Sequence, residues 1–241
     1  MRHSSSLKFD FHLHTLDDPR DRQVFHTVSE LIDKAARLGF GALSVTLHGA
    51  QFESETARQY ARDKGILLIP GVEQDVEGSH VLLINFPKSA AEAVRTFADL
   101  ARAKAAHPQA LVIAAHPFYP SGTCLREKLL EHGACFDAVE ISGYYRRGWN
   151  PNERAREAAA RLGLPLVGNS DTHTLEQLGT TWSEVDCPRE TAALIDAIKA
   201  GRAAVRGRPL GLGEMALITW KVVARGYMPW VDYKKQRGYP R

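Results

Sequence analysis

Cysteine is scarce: Cys124, Cys135 and Cys187 are the only three in 241 residues, an odd number without metal-ligand spacing. That excludes a disulfide framework and a thiolate zinc knuckle. Long apolar runs are also missing. None approaches the roughly 18 to 20 residues that span a bilayer, and the start MRHSSSLKFDF lacks the apolar core of a signal peptide. A soluble, cytoplasmic protein without membrane contact is therefore expected. No Pro/Gly/Ser-rich linker, internal repeat or low-complexity stretch divides the chain. Neither GxxxxGKS/T nor GxSxG occurs, which removes P-loop nucleotide motors and serine hydrolases. The GLG at Gly211 to Gly213 follows no strand of a βαβ unit and reads as a turn. Net charge is only +3, and it is unevenly placed. Residues 218–241 hold six Lys/Arg against one acid, Asp232, so the tail is basic and the body slightly acidic.

What is present is a folding composition, 44% hydrophobic and 24% charged, in a length that suits one large α/β unit. Short β-branched and aliphatic runs alternate with segments of helical spacing, the pattern of βα units around a parallel sheet. Seven strands are expected: Leu7 to His12, Ala42 to Leu47, Ile66 to Val72, His80 to Phe86, Leu111 to Ala115, Ala138 to Ile141 and Leu164 to Asn169. Helices are expected over Val28 to Leu38, Ser54 to Lys64, Ala90 to Ala106, Leu125 to His132, Asn152 to Leu162 and Glu190 to Ala200. Gly39, Gly65, Gly133, Gly163 and Gly201 fit left-handed C-caps, and Ser89 and Asn150 fit N-caps. The third and fourth strands are too close for a parallel crossover, so a hairpin through Glu77 and Gly78 is expected between them.

Ten histidines occur, and six fall at strand ends. His12 and His14, in DFHLHT, share one facing because strand side chains alternate. His48 follows the second strand, Glu73 the third, His80 opens the fourth, His116 follows the fifth, and Asp171 and His173 follow the seventh. Ligand-type residues at the carboxyl ends of parallel strands mark the rim where α/β sheets and barrels place their sites. Imidazole with carboxylate suits Zn²⁺, Mn²⁺ or Fe²⁺, and the lack of thiolates favours an open catalytic site.

The ordered motifs DFHLHT, TLH, GVE, SHVLL, AAHPF and GNSDTHTLEQLGTTW resemble the PHP (polymerase and histidinol phosphatase) family. The resemblance spans roughly Leu7 to Arg208. It implies an α/β fold, a distorted (β/α)7 TIM-like barrel over residues 1–210, followed by a basic aromatic extension over 211–241. It also implies two or three divalent metals and phosphoester hydrolysis. Carried over residue by residue, the ligands are His12, His14, His48, Glu73, His80, His116, Asp171 and His173. A further carboxylate is expected from Asp17, Asp18 or Asp21, with Asp18 preferred. Leu47 stands where the family commonly has Asp, a change expected to alter contacts behind the ligands more than ligation itself.

The reaction implied is attack by a metal-activated hydroxide on a small phosphomonoester, nucleotide or oligonucleotide. Paired divalent ions would clamp the attacking and leaving oxygens and acidify the water. His12, His14, Glu73, His116, Asp171 and His173 are the expected catalytic set. Arg146 and Arg147, in SGYYRRGWN, are expected to bind substrate phosphate, with Tyr144, Tyr145 or Trp149 stacking on a ring; Arg20 and Arg22 are a second choice. Glu140 reads as a carboxylate behind the ligands, and His26 as a surface or capping residue. Trp220, Tyr227, Trp230, Tyr233 and Tyr239 interleave with basic residues, a mixture that suits docking onto the domain first and nucleic-acid binding second. An amidohydrolase-like metal hydrolase and a non-catalytic, metal-stabilised PHP scaffold are the alternatives.

Overall fold

A computed structural model of the chain describes residues 6–21 and 23–224. The seven expected strands form with ends shifted by up to four residues: β1 Leu7–Leu13, β2 Ala42–Val45, β3 Leu67–Val76, β4 Ser79–Ile84, β5 Leu111–Ala114, β6 Ala138–Ser142 and β7 Leu166–Asn169. Two more follow, β8 Thr181–Val185 and β9 Ala204–Gly207, which corrects the sevenfold count. Their signal is weak for a physical reason. In β8 the inward residues Thr181 and Ser183 are polar, so burial alternates while hydrophobicity does not. β9 is only four residues long and half exposed.

All nine strands lie in one sheet of order β7-β6-β5-β4-β3-β2-β1-β8-β9. β1, β2 and β3 run parallel, as do β5, β6 and β7, while β4 and β8 are reversed against their neighbours. The sheet is thus mixed rather than a uniform parallel barrel. Reversal of β4 follows from the expected hairpin: Glu77 (φ 51°) and Gly78 (φ 78°) both take the positive φ that a tight two-residue turn needs. Because β4 runs back down, its first residues, including His80, lie beside the end of β3.

The sheet curls until β7 meets β1 and β8. Ser183 Oγ accepts from Gly168 N at 2.7 Å, and Asn169 Oδ1 accepts from Phe11 N at 2.9 Å. Beyond the strands, His14 N donates to Thr172 O and Thr172 N to His12 O, at 3.0 and 3.1 Å. The approach at this seam needs glycine: a Cβ on Gly168 would stand 2.6 Å from Trp182 O.

Strand residues alternate between two apolar layers. Val81, Leu83, Val112 and Ala114 face outward into the cluster formed with α4 (Phe97–Ala106) and α6 (Asn152–Leu162), whereas Leu82, Ile84, Leu111 and Ile113 join Phe9, Phe11 and Val167. Leu47 packs in a third cluster with Leu31 and Ile32 of α1 (Val28–Arg37) and with Ala61 of α2 (Glu55–Asp63). The expected helix over Ala90 to Ala106 divides into α3 (Lys88–Ala93) and α4, because Val94 is extended and Thr96 starts a new capping box with Asp99. Ser89 therefore lies inside α3, whose cap position is Pro87. The short α5 (Glu127–Glu131) leads into a 3₁₀ turn that Gly133 opens, so Gly133 is not a C-cap, while Gly39, Gly65, Gly163 and Gly201 take the expected left-handed conformation. After α7 (Thr191–Lys199) and β9, Gly211 starts α8 (Leu212–Thr219), which continues into a π-helical turn, Trp220–Ala224. The GLG segment therefore begins a helix. Among the described residues, no helix is long and apolar enough to cross a membrane.

Candidate metal centre

His12 lies in β1 and His14 just beyond it, Glu73 lies in β3, and His80 in β4. His48, His116, Asp171 and His173 follow the ends of β2, β5 and β7. The barrel brings all eight together on one rim, and Glu73 joins them. Its Oε2 lies 3.2 Å from His12 Nε2, 3.4 Å from His14 Nε2 and 3.1 Å from His48 Nε2. Its Oε1 lies 2.7 Å from His80 Nδ1 and 3.2 Å from His116 Nε2. Asp171 Oδ1 stands 3.4 Å from His12 Nε2, 3.8 Å from His14 Nε2 and 3.4 Å from His173 Nδ1.

These spacings fit metal ions. Ligand bonds of about 2.0–2.2 Å place neighbouring donors roughly 3.0–3.5 Å apart around one ion. Four overlapping groups have donor atoms within 4.8 Å of one another: His14, His48, His173; His12, Glu73, His116; His12, His14, Asp171; and His48, Glu73, His80. More telling, His12 Nε2, His14 Nε2 and Asp171 Oδ1 are buried without a hydrogen-bond partner among the described residues. Buried polar atoms are normally satisfied, and three orphans aimed at one point ask for a cation.

The second ring nitrogen of His12, His14 and His48 is held by a carboxylate. Glu140 Oε1 lies 2.9 Å from His12 Nδ1 and accepts from Asn169 Nδ2 at 2.8 Å, while its Oε2 accepts from His116 N at 2.6 Å. Asp18 Oδ2 lies 3.0 Å from His14 Nδ1 and 2.9 Å from His48 Nδ1. Holding Nδ1 in this way leaves Nε2 free to ligate. Asp18, the preferred candidate ligand, is thereby placed at the Nδ1 side of two imidazoles. Its Oδ1 is taken by the N–H groups of Arg20 and Asp21, both at 2.9 Å, so the carboxylate is spent on the turn and on two imidazoles. Asp21, the acid passed over, faces the cluster instead, with Oδ2 3.2 Å from His173 Nε2. Asp17 accepts from Thr15 Oγ1. His26 is also corrected: it is buried, and its Nε2 donates to His14 O at 2.8 Å. Burial pulls its pKa down to about 4.

Charge is balanced around a deficit of cations. Burial acts against the charged form of His12, yet Glu140, Asp171 and Glu73 overrule it and hold the imidazole well above its ordinary value. His116 rises in the same way, burial being outweighed by Cys124, Glu73 and Asp171. Glu73 and Asp171 are held below the usual carboxylate range against burial, chiefly by His12. Fixed positive ions would meet the same demand. Backbone strain gathers here too, since His116 (φ 25°) and Asp171 (φ 54°) occupy the left-handed region that non-glycine residues avoid.

The cluster floors a cavity of about 370 Å³, walled by Tyr119 and Tyr144 and crossed by α8 and the turn after it. Arg146 and Arg147 do not line this cavity. Arg146 closes a tight turn with Trp149 through reciprocal 3.1 Å backbone hydrogen bonds. Of the three aromatics in that loop, Tyr144 reaches the cavity. Trp149 stands edge-on behind Tyr119 and Tyr144, at 6.0 and 6.2 Å. Arg20 lies over Gly49. Arg22 and tail residues 225–241, including Tyr227, Trp230, Tyr233 and Tyr239, lie outside the described residues. Sequence reasoning missed Tyr119, Gln177 and the roof residues Ile218, Thr219, Val222 and Val223, which carry no ligand chemistry to mark them.

Residues 149–203 match the PHP-associated family. A candidate metal-dependent phosphoesterase from Bifidobacterium adolescentis is similar in structure over 89% of this chain and 96% of its own, at 16% identity and a TM-score of 0.55. The family match is confined to residues 149–203, and the structural likeness extends to the fold of most of the chain. The fold is also similar to that of PsfC from Pseudomonas syringae, over 92% of this chain and 98% of that one, at 19% identity and a TM-score of 0.64. An amidohydrolase from Chromobacterium violaceum, with bound sulfate and no metal, resembles it over 68% of this chain and 87% of that one, at 18% identity and a TM-score of 0.55. No curated protein sequence matches the chain.

Proposed function

We propose that this protein is a PHP-type, metal-dependent phosphoesterase that hydrolyses a small phosphorylated substrate. The observation that carries the reading is the convergence of the orphaned His12 Nε2, His14 Nε2 and Asp171 Oδ1 with Glu73 beneath an open cavity. His12, His14, Glu73 and Asp171 would hold one divalent ion, Glu73, His80 and His116 a second, and Asp21, His48 and His173 a third. Zn²⁺, Mn²⁺ and Fe²⁺ suit these donors. When bound, such ions supply Lewis acidity to phosphoryl oxygens and lower the pKa of bound water to about 7.

The chain's own residues hold the geometry. Glu140 and Asp18 fix three imidazoles through Nδ1. Gln177 fastens the loop after β7: its Nε2 donates to Asp171 O at 2.7 Å, and its Oε1 accepts from His173 N and Thr174 N. Tyr119, whose hydroxyl donates to Ser142 O at 3.2 Å, walls the cavity as an uncharged ring, because burial pushes its pKa further up.

The test is phosphate release from a panel of phosphomonoesters and nucleotides by metal-free protein and by protein loaded with Mn²⁺, Zn²⁺ or Fe²⁺. Metal-dependent release with no amide hydrolysis supports the phosphoesterase. Amide hydrolysis alone would mark the amidohydrolase alternative, and metal uptake without any turnover would mark a scaffold.

A further inference from the structure

The two halves of the cavity differ in chemistry. Its floor is the imidazole and carboxylate cluster, and its roof is the segment that follows the barrel. Ile218, in α8, is only 2% exposed, and Val222 and the half-exposed Val223 line the same cavity. With the rings of Tyr119 and Tyr144 they form an apolar wall facing the metal-ligand floor. The roof is pinned along its length. Arg208 grips Glu214 through both carboxylate oxygens at 2.8 and 2.5 Å, the Tyr144 hydroxyl bonds Thr219 Oγ1, and Lys221 pairs with Glu176. A fixed apolar wall above a charged floor suits a ligand with the same division.

We infer that Ile218, Val222 and Val223, together with Tyr119 and Tyr144, form the leaving-group pocket for a phosphomonoester of a compact, uncharged aryl or branched alkyl alcohol. The inference rests on the phosphoesterase reading and narrows it. A volume of about 370 Å³ is near the low end for small-molecule sites, which begin at about 300 Å³. It admits a phosphoryl group on the floor and about one ring beneath the roof. Among the described residues, no Lys or Arg lines the cavity, so none of them offers a second phosphate a side-chain cation there. In the reaction, the oxygen of water bonds to phosphorus as the ester P–O bond breaks, and the departing alkoxide takes a proton from that water.

The test uses the full chain loaded with Mn²⁺. Steady-state kinetics compare phenyl phosphate, glycerol 3-phosphate and AMP, and thermal melts compare the non-hydrolysable phenylphosphonate and methylphosphonate. The expected kcat/KM for phenyl phosphate exceeds that for glycerol 3-phosphate by at least about tenfold, the scale on which apolar pockets discriminate. Val222→Asp collapses that ratio by raising KM for phenyl phosphate, and it abolishes the larger melting shift given by phenylphosphonate. Leu217→Ser, on the exposed side of α8, leaves both ratios as they were. A preference for AMP, or ratios and melting shifts unmoved by Val222→Asp, overturns the pocket while turnover keeps the phosphoesterase reading. If no ester is hydrolysed but the phenylphosphonate preference is present and lost in Val222→Asp, the phosphoesterase reading falls and the apolar pocket stands.

Discussion

Replacing Glu140 by glutamine alters no proposed ligand, yet it is expected to weaken metal binding by about 10- to 100-fold, the usual effect of removing a carboxylate behind a ligating histidine. Glu140 is fully buried and acts only as an acceptor, with Oε1 serving His12 Nδ1 and Asn169 Nδ2 and Oε2 serving His116 N. A carboxamide has the same shape but one acceptor end. If its oxygen stays beside His12, its NH₂ faces the His116 N–H across what is now a 2.6 Å hydrogen bond. If it flips, the NH₂ faces both His12 and Asn169. Either orientation leaves a buried donor unsatisfied, at a cost of about 1–3 kcal/mol. A 10- to 100-fold loss of affinity is about 1.4–2.8 kcal/mol, so the two estimates agree. Competition against a chromophoric chelator measures the affinity, and melts of the metal-free proteins separate it from folding. A folded Glu140→Gln variant whose metal affinities stay within about twofold of the parent's would refute the role given to Glu140.

Other expectations follow from the same geometry. Asp21→Asn and His173→Ala should each lower the metal bound per chain by up to one equivalent in elemental analysis, and full retention in both would remove Asp21 from the site. Chelation should lower the melting temperature and added metal should raise it with the logarithm of its free concentration, because ions held only by the folded state add about 2.7 kcal/mol at a hundred times Kd; a melt indifferent to metal would contradict the fit of the donors. Gly168→Ala should cost about 1–3 kcal/mol in urea unfolding, since its Cβ would press on Trp182 O at 2.6 Å and Val205 Cγ1 at 2.9 Å. Gly122→Ala, with nothing within 4 Å, should change stability by less than about 0.5 kcal/mol.

Periodicity and spacing made the seven strands legible because each is marked by β-branched or aliphatic residues. They failed for β8, where inward positions are Thr and Ser, and for the split between α3 and α4, where a new capping box interrupts an Ala-rich run that otherwise reads as continuous helix. In the site, eight ligand-type residues announced themselves by their side-chain chemistry. The choice among Asp17, Asp18 and Asp21 could not be made, because three acids within five residues differ only in the path of the turn that carries them.

Residue types at strand ends, and the alternation that gives His12 and His14 one facing, were properties of the sequence alone. They marked a rim of ligand-type residues, which the fold brings together. Tertiary structure decided three further things. Closure of the sheet across β7, β1 and β8 sets donor atoms at distances one ion can bridge, which no local pattern encodes. Contacts made over long stretches of chain decide which carboxylates lie against the Nδ1 side of the imidazoles: Glu140 reaches His12, and Asp18 reaches His48. Only the folded chain brings Ile218, Val222 and Val223 over the cavity, because apolar residues carry no chemical mark of the site they will cover.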